Sequence, residues 1–254
     1  MEILFDKKIV LVTGASRGIG KATAGMFASS GATVIIHYKS NRDAAEKVLK
    51  SLTGIGHQMI SADLALPGEI ENLVRWSIKT FGRIDILVNN AGIFQEEKIP
   101  SLDFHAFQKY WTETIDVNLS GPAFLSFLVA KEMISQGGGK IINISSRGAF
   151  RGEPDAWAYG ASKAGLNALG QSMARALAPF KVFVFTLAPG YVETDMTSSY
   201  LTGDKAIKIT SQSPMNRVAR PEEIARAVMM LAADGTEYMT GCILDMNGAS
   251  YLRT

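Results

Sequence analysis

One cysteine, Cys242, is the only thiol in this sequence of 254 residues. A single thiol excludes an intrachain disulfide and a thiolate metal cluster. Histidine is scarce as well: His37, His57 and His105 are scattered and show no ligand spacing. No block of one charge stands out, because 26 basic and 24 acidic residues are mixed along the chain and leave a net charge of +2. That balance argues against a nucleic-acid or anionic-membrane partner. No apolar run approaches the ~18–20 residues of a membrane-spanning helix. The opening "MEILFDKKIVLVTG" has no cleavage-site pattern, so a cytoplasmic location is expected. Repeats and low-complexity tracts are absent, and Gly137-Gly138-Gly139 reads as a turn. The 47% of hydrophobic residues against 20% charged ones is enough for a globular protein with a substantial core.

What is present is an alternation. Short β-branched runs, "KIVLVTG" (8–14), "ATVIIHY" (32–38), "GHQMISAD" (56–63), "RIDILVNNAG" (83–92), "GKIINISS" (139–146), "KVFVFTLAPG" (181–190) and "CILDMNGA" (242–249), read as strands. Helical stretches fall between them at 20–31, 41–52, from Pro67 to about 80, 103–135 as one long or broken helix pair, 157–178 and 220–234. Gly31 suits the position just past a helix end and Pro67 a first turn. Continuous apolar strands alternating with helices mean a parallel sheet covered on both faces. The predicted fold is α/β, one doubly wound Rossmann-like domain over 1–254 with about seven parallel strands. A polar segment from 191 to about 214 interrupts the alternation and reads as a substrate lid.

The first strand runs into "TGASRGIG", with glycines at 14, 18 and 20. Glycine allows a sharp turn and close approach of backbone to ligand, and the following helix N-terminus offers free N–H groups to a pyrophosphate. At the end of the second strand an acid would favour NAD(H); here His37, Tyr38, Lys39 and Ser40 stand, with no acid before Asp43. Lys39 and Arg17 suit a 2′-phosphate, so NADP(H) is expected over NAD(H). Further on, "YGASK" places Tyr159 and Lys163 four residues apart, on one helix face. A neighbouring ammonium lowers a phenol pKa and makes a proton donor of it near neutral pH. The pair alone does not separate a tuned acid from an ordinary helix-surface contact.

Several motifs now stand in order: "TGASRGIG" (13–20), "NNAG" (89–92), Asn118 in "DVNLSG", "ISS" (144–146), "YGASK" (159–163) and "PGYVETDM" (189–196). Together they resemble the short-chain dehydrogenase/reductase family across nearly the whole chain. The resemblance implies an NAD(P)-dependent oxidoreductase. In it Tyr159 would be the general acid/base, Lys163 would lower its pKa and hold the nicotinamide ribose, and Ser146 would hydrogen bond the substrate oxygen. Asn118 would anchor a water that relays protons to Lys163. Gly14, Ser16, Arg17, Gly18, Ile19 and Gly20 would hold the pyrophosphate side, with Lys39 and Ser40 at the 2′-phosphate. Asp63, Leu64, Asn90, Ala91 and Gly92 would border adenine and ribose, and Pro189, Gly190, Val192 and Thr194 the nicotinamide amide. Asn89 and Asp85 are expected to tie loops together.

The subgroup most similar in overall look is the 3-oxoacyl-[acyl-carrier-protein] reductases, through "SPMNRVARPEEIARAVMMLAAD" and "TGCILDMNGA". That implies a 3-oxoacyl thioester substrate, acyl carrier protein as a partner, and a homotetramer or homodimer pairing through the helices at 103–135 and 157–178. Departures are visible. Phe185 and Thr186 replace a usual Val-Asn, and Gly248-Ala249 a usual Gly-Gly. Phe180 stands where a carrier-binding basic residue is common. Arg147, Arg151 and Trp157 are expected near the mouth, either on a loop surface or against a charged substrate. The alternatives are a sugar, polyol or other small-alcohol dehydrogenase, and a non-catalytic NADP(H) sensor.

Overall fold

A computed structural model describes residues 3–253. The strands are β1 Ile9–Val12, β2 Thr33–Tyr38, β3 Gln58–Ser61, β4 Ile86–Asn89, β5 Gly139–Ile144, β6 Val182–Pro189 and β7 Ile243–Met246. The helices are α1 Gly18–Ser29, α2 Arg42–Ser51, α3 Pro67–Phe81, α4 Phe104–Ile115, α5 Gly121–Ser135, α6 Gly148–Arg151, α7 Trp157–Leu177, α8 Gly203–Thr210 and α9 Pro221–Ala232. All seven strands pair in parallel in the order β3-β2-β1-β4-β5-β6-β7. The order reverses beside β1, the switch point at which open α/β sheets bind ligands.

Both sheet faces are buried, as the uninterrupted apolar strands require. On one face Val10, Val12, Val34 and Ile36 pack with Phe27 of α1 and Ile224 and Val228 of α9. On the other, Leu11, Ile35, Leu87 and Ile141 pack with Leu73 of α3 and with Leu125, Val129 and Met133 of α5. Phe185 is fully buried in the first of these cores. Pro67 opens α3, and Gly82 ends it at φ +77°, where the left-handed backbone favours glycine.

Two segments carry detail beyond the sequence expectation that matters for the site. The stretch 103–135 is a helix pair joined by one wide π turn at Asp116–Ser120, which carries Asn118 with no solvent exposure. Such turns rotate a side chain off the regular helix face. The polar segment after β6 contains a single 3-10 turn at Ser198–Tyr200 and the two-turn helix α8. Among the described residues no helix is long and apolar enough to cross a membrane, and no group of side chains could hold a metal.

Candidate active site

The carboxyl ends of the strands open into one cleft of about 500 Å³. All the expected cofactor positions except Gly20, Asp63 and Leu64 line it, and so do Ser146, Tyr159 and Lys163.

The cleft's first half is built on β1, β2 and β4. Gly14 has φ +62°, and a Cβ there would lie 2.9 Å from the Ala91 Cα; one on Gly20 would lie 2.4 Å from the Gly14 carbonyl oxygen. Absent side chains therefore let the turn close onto the end of β4. Asn90 fastens it: its Nδ2 donates to the carbonyls of Thr13 (2.8 Å) and Gly14 (3.2 Å), while Thr13 Oγ1 accepts the N–H groups of Asn90 and Ala91. His37 completes this frame. Its Nδ1 accepts the Gly14 N–H at 3.1 Å, so its Nε2 carries the proton and donates to the Ala62 carbonyl at 2.9 Å. Burial pushes the His37 pKa down to about 4, which keeps the ring neutral and the acceptor available. The signal in the sequence was its place: a histidine near the end of a buried strand beside the glycine-rich turn.

The N-terminus of α1 has no side-chain cap and no acid in its first turn. Its free N–H groups and dipole face the cleft with nothing anionic to compete. Arg17 and Lys39 are exposed at this end, and Lys39 pairs with Asp63 at 2.7 Å. That ion pair is where Asp63 differs from expectation: its carboxylate holds Lys39 and its N–H donates to Glu69, at the rim and not in the lining. Leu64 is buried against Gly121, a core contact. Gly20 serves the turn's packing from inside α1.

The second half is built on β5, α7 and the π turn. Lys163, on α7, is 5% exposed and donates to the Ile144 carbonyl at 2.8 Å. Burial pushes its pKa down to about 8. Tyr159, one turn earlier, has Lys163 Nζ 5.7 Å from its ring centroid. The expected lowering of the phenol pKa is overturned: burial pushes it up to about 12, the Ser146 hydroxyl pulls the other way, and Glu153 and Tyr191 add to the rise. Desolvation of the phenolate outweighs the single hydrogen bond. The phenol is therefore held protonated at neutral pH. Ser146 Oγ accepts the Gly148 N–H at 3.0 Å, which leaves its own hydrogen directed to the Tyr159 oxygen. Ser145 is turned into the fold and donates to the Lys163 carbonyl at 3.2 Å, as strand alternation requires.

Asn118 stands behind the cleft. Its Oδ1 accepts the Ile93 N–H at 2.8 Å, and its Nδ2 donates to the Ile93 carbonyl at 2.9 Å and towards Ser162. Both amide atoms bond the chain, so its side chain pins the 92–94 loop. Asn89 donates to Ser126 and Asn143, and Asp85 accepts the Ile9 N–H and binds Arg83; both tie segments together.

The far wall carries Pro189, Gly190, Val192 and Thr194. A Cβ on Gly190 would lie 3.0 Å from the Asn247 Cα, and Val192 bridges to Ala219. Phe94 meets Tyr159 edge-on at 4.9 Å and Tyr200 at 6.0 Å. Burial, with the Glu96 carboxylate nearby, pushes the Tyr200 phenol up to about 12, and Phe94 between the two rings brings the segment after β4 and the segment after β6 together beside Tyr159. Trp157 is half exposed and packs on Phe107. Arg147 is 3% exposed and is neither on a loop surface nor in this cleft.

These residues fit a nicotinamide dinucleotide. A Cβ on Gly92 would fill the space 3.2 Å from Asn118 Oδ1 and 3.5 Å from Lys163 Nζ. Glycine keeps that floor open, between the bare helix N-terminus and the buried ammonium.

The chain matches a family model described as enoyl-(acyl carrier protein) reductase over residues 14–248. It is 36% identical over 244 residues to a 3-oxoacyl-[acyl-carrier-protein] reductase of Synechocystis, covering 95% of this chain and 96% of that one. The reductase of that name from Escherichia coli is 37% identical, with 98% and 99% covered. An uncharacterized oxidoreductase of Thermotoga maritima is 38% identical, with 97% and 98% covered. The crystal structure of a short-chain type dehydrogenase/reductase from Mycobacterium marinum superposes with a TM-score of 0.90 at 29% identity, covering 98% of each chain. The chain thus belongs to the short-chain dehydrogenase/reductase family, as an oxidoreductase acting on CH–OH/C=O groups with a nicotinamide cofactor.

Proposed function

We propose that this protein reduces the carbonyl of a 3-oxoacyl thioester to a secondary alcohol with NADPH, working as a single domain over 1–254 in the cytoplasm. The observation that carries the reading is the meeting of Tyr159, Ser146 and Lys163 at one end of a dinucleotide-sized cleft. The nicotinamide cofactor supplies the hydride. The protein's part is the oxygen. Tyr159, held protonated by burial, gives its proton to the carbonyl oxygen as charge develops there. Ser146, with the substrate carbonyl in place of the Tyr159 oxygen as its acceptor, donates its hydrogen to the same carbonyl oxygen. The phenolate left behind lies beside the Lys163 ammonium, which is still protonated at pH 7. Asn118 keeps the loop of Ile93 and Phe94 in place through two backbone hydrogen bonds.

The NADPH preference rests on Arg17 and Lys39, the two basic side chains at the adenosine end of the cleft. The thioester reading rests on the similarity to the two reductases. Exposed Phe104, Phe124 and Phe127 on α4 and α5 support a homodimer or homotetramer through that face. Phe180, 52% exposed where that subgroup commonly has a basic residue, gives footing to the second reading, a small sugar or polyol dehydrogenase that needs no carrier protein.

The test is the initial rate of NADPH oxidation with an acetoacetyl thioester, beside NADH. A fast rate with NADPH is expected. Turnover confined to sugars or polyols would replace the thioester reading with the second one.

A further inference from the structure

A second cavity, of about 480 Å³, lies behind the catalytic serine's loop. Among the described residues none lines both this cavity and the cofactor cleft. Its lining joins the loop after β5, the segment around Ser213 and Met215 after α8, and the chain after β7. Arg147, the residue after Ser146, forms part of it and is 3% exposed.

Arg147 is a buried cation whose charge no partner cancels. Its Nη1 donates to Ser250 Oγ and its Nη2 to Gln212 Oε1, both neutral, and its guanidinium lies 5.1 Å from the Tyr191 ring centroid. Among the described residues no carboxylate comes within ion-pair distance of it. The other arginines of the lining are neutralised: Arg217 by Glu223, Arg253 by Asp245. Nearby Arg151 and Glu153 pair with each other. The guanidinium has five N–H donors, and the remaining three have no hydrogen-bond partner among the described residues. Burying an uncompensated charge is costly unless a counter-charge completes it. A cavity of this size suits a small molecule, and a planar fork of free donors suits the two oxygens of a carboxylate or phosphate.

We propose that this cavity is an anion site, separate from the cofactor cleft, which binds a small carboxylate- or phosphate-bearing molecule with Arg147 as its charge anchor. Ligand oxygens take the free guanidinium N–H groups. The apolar side of Tyr191 and Met215 accepts the rest. Because Arg147 follows Ser146 and its N–H holds the Pro189 carbonyl at 2.8 Å, occupancy bears directly on the geometry of the serine and of the far wall.

The test is calorimetric titration of the whole protein with citrate, at ionic strength matched with NaCl, together with crystals soaked in selenate to locate the bound anion by anomalous scattering. Saturable citrate binding and a selenate peak on the Arg147 guanidinium are expected. Arg147→Met should abolish the citrate signal. Since that change touches a buried residue, Met215→Glu is the companion: Met215 is 59% exposed on the cavity wall, and a carboxylate there should weaken citrate about tenfold or more without unfolding the chain. No saturable binding, binding unchanged in Met215→Glu, or selenate only at the N-terminus of α1 would each overturn the proposal.

Discussion

Two lysines are buried at the two ends of β5, and the fold treats them differently. Lys140, within the strand, is 7% exposed. Its ammonium meets Glu237 at 2.9 Å, Thr236 Oγ1 at 3.1 Å and the Ala233 carbonyl just past the end of α9. Every donor has an acceptor and one of them is a carboxylate. Among the described residues Lys163, at the strand's other end, has only the Ile144 carbonyl, and burial pushes its pKa down to about 8. Full pairing makes a lysine into a structural tie for a sheet and a helix. A lysine left short of a counter-charge costs stability, and such a cost persists where the charge is used. The unpaired end of β5 is the end with the cleft.

The comparison sharpens most through Tyr159. Tyr159→Phe removes one hydroxyl and no packing, so kcat should fall about 10³-fold, with cofactor binding and melting temperature kept. Steady-state rates and cofactor fluorescence titration read both. Near-normal turnover would place the proton donor elsewhere.

His37 tests the paired side of the comparison from within the cleft. It is neutral and has both ring nitrogens bonded. Its unfolded pKa is about 6.5 and its folded one about 4. Between those values the unfolded chain binds the proton and the folded chain does not, so stability falls as pH falls from 6.5 to 4. The loss attributable to this group is about 3 kcal/mol. Urea denaturation at stepped pH should show it, and His37→Asn should flatten that limb. An unchanged limb would mean the ring is protonated in the fold.

The smallest effect belongs to an exposed cation. Arg17→Ala should lower the preference for NADPH over NADH about tenfold, the scale of one charge-assisted contact (~1.4 kcal/mol). The ratio of kcat/KM for the two cofactors measures it; an unchanged ratio would leave the preference to Lys39 and Ser40.

Much of this was legible in the sequence because it is local. Apolar runs gave the strands, and the register of the motifs gave the cleft's lining from Gly14 to Thr194. What was hidden depends on neighbours distant in the chain. The acceptor role of His37 exists only because β2 lies beside β1 and β3. The π turn at Asn118 answers to the Ile93 backbone, 25 residues away. The helix α8 is short, with Ala206, Ile207 and Ile209 as its only apolar residues, and Ile207 is exposed. The direction of the Tyr159 shift is not legible in the sequence, because spacing shows the ammonium but not the burial that raises the phenol pKa.

The most direct measurement takes Lys140→Met and Lys163→Met side by side, each by thermal melting and by NADPH-linked turnover. Crossed results are predicted. Lys140→Met leaves the Glu237 carboxylate and the Ala233 carbonyl without their partner, and should lose about 2 kcal/mol, or about 5 °C in Tm, with turnover retained. Lys163→Met should lose about 10²-fold in kcat/KM while its Tm holds or rises, since an uncompensated buried charge has gone. If both variants lost stability alike and Lys163→Met kept its rate, the distinction between the two ends of β5 would be wrong.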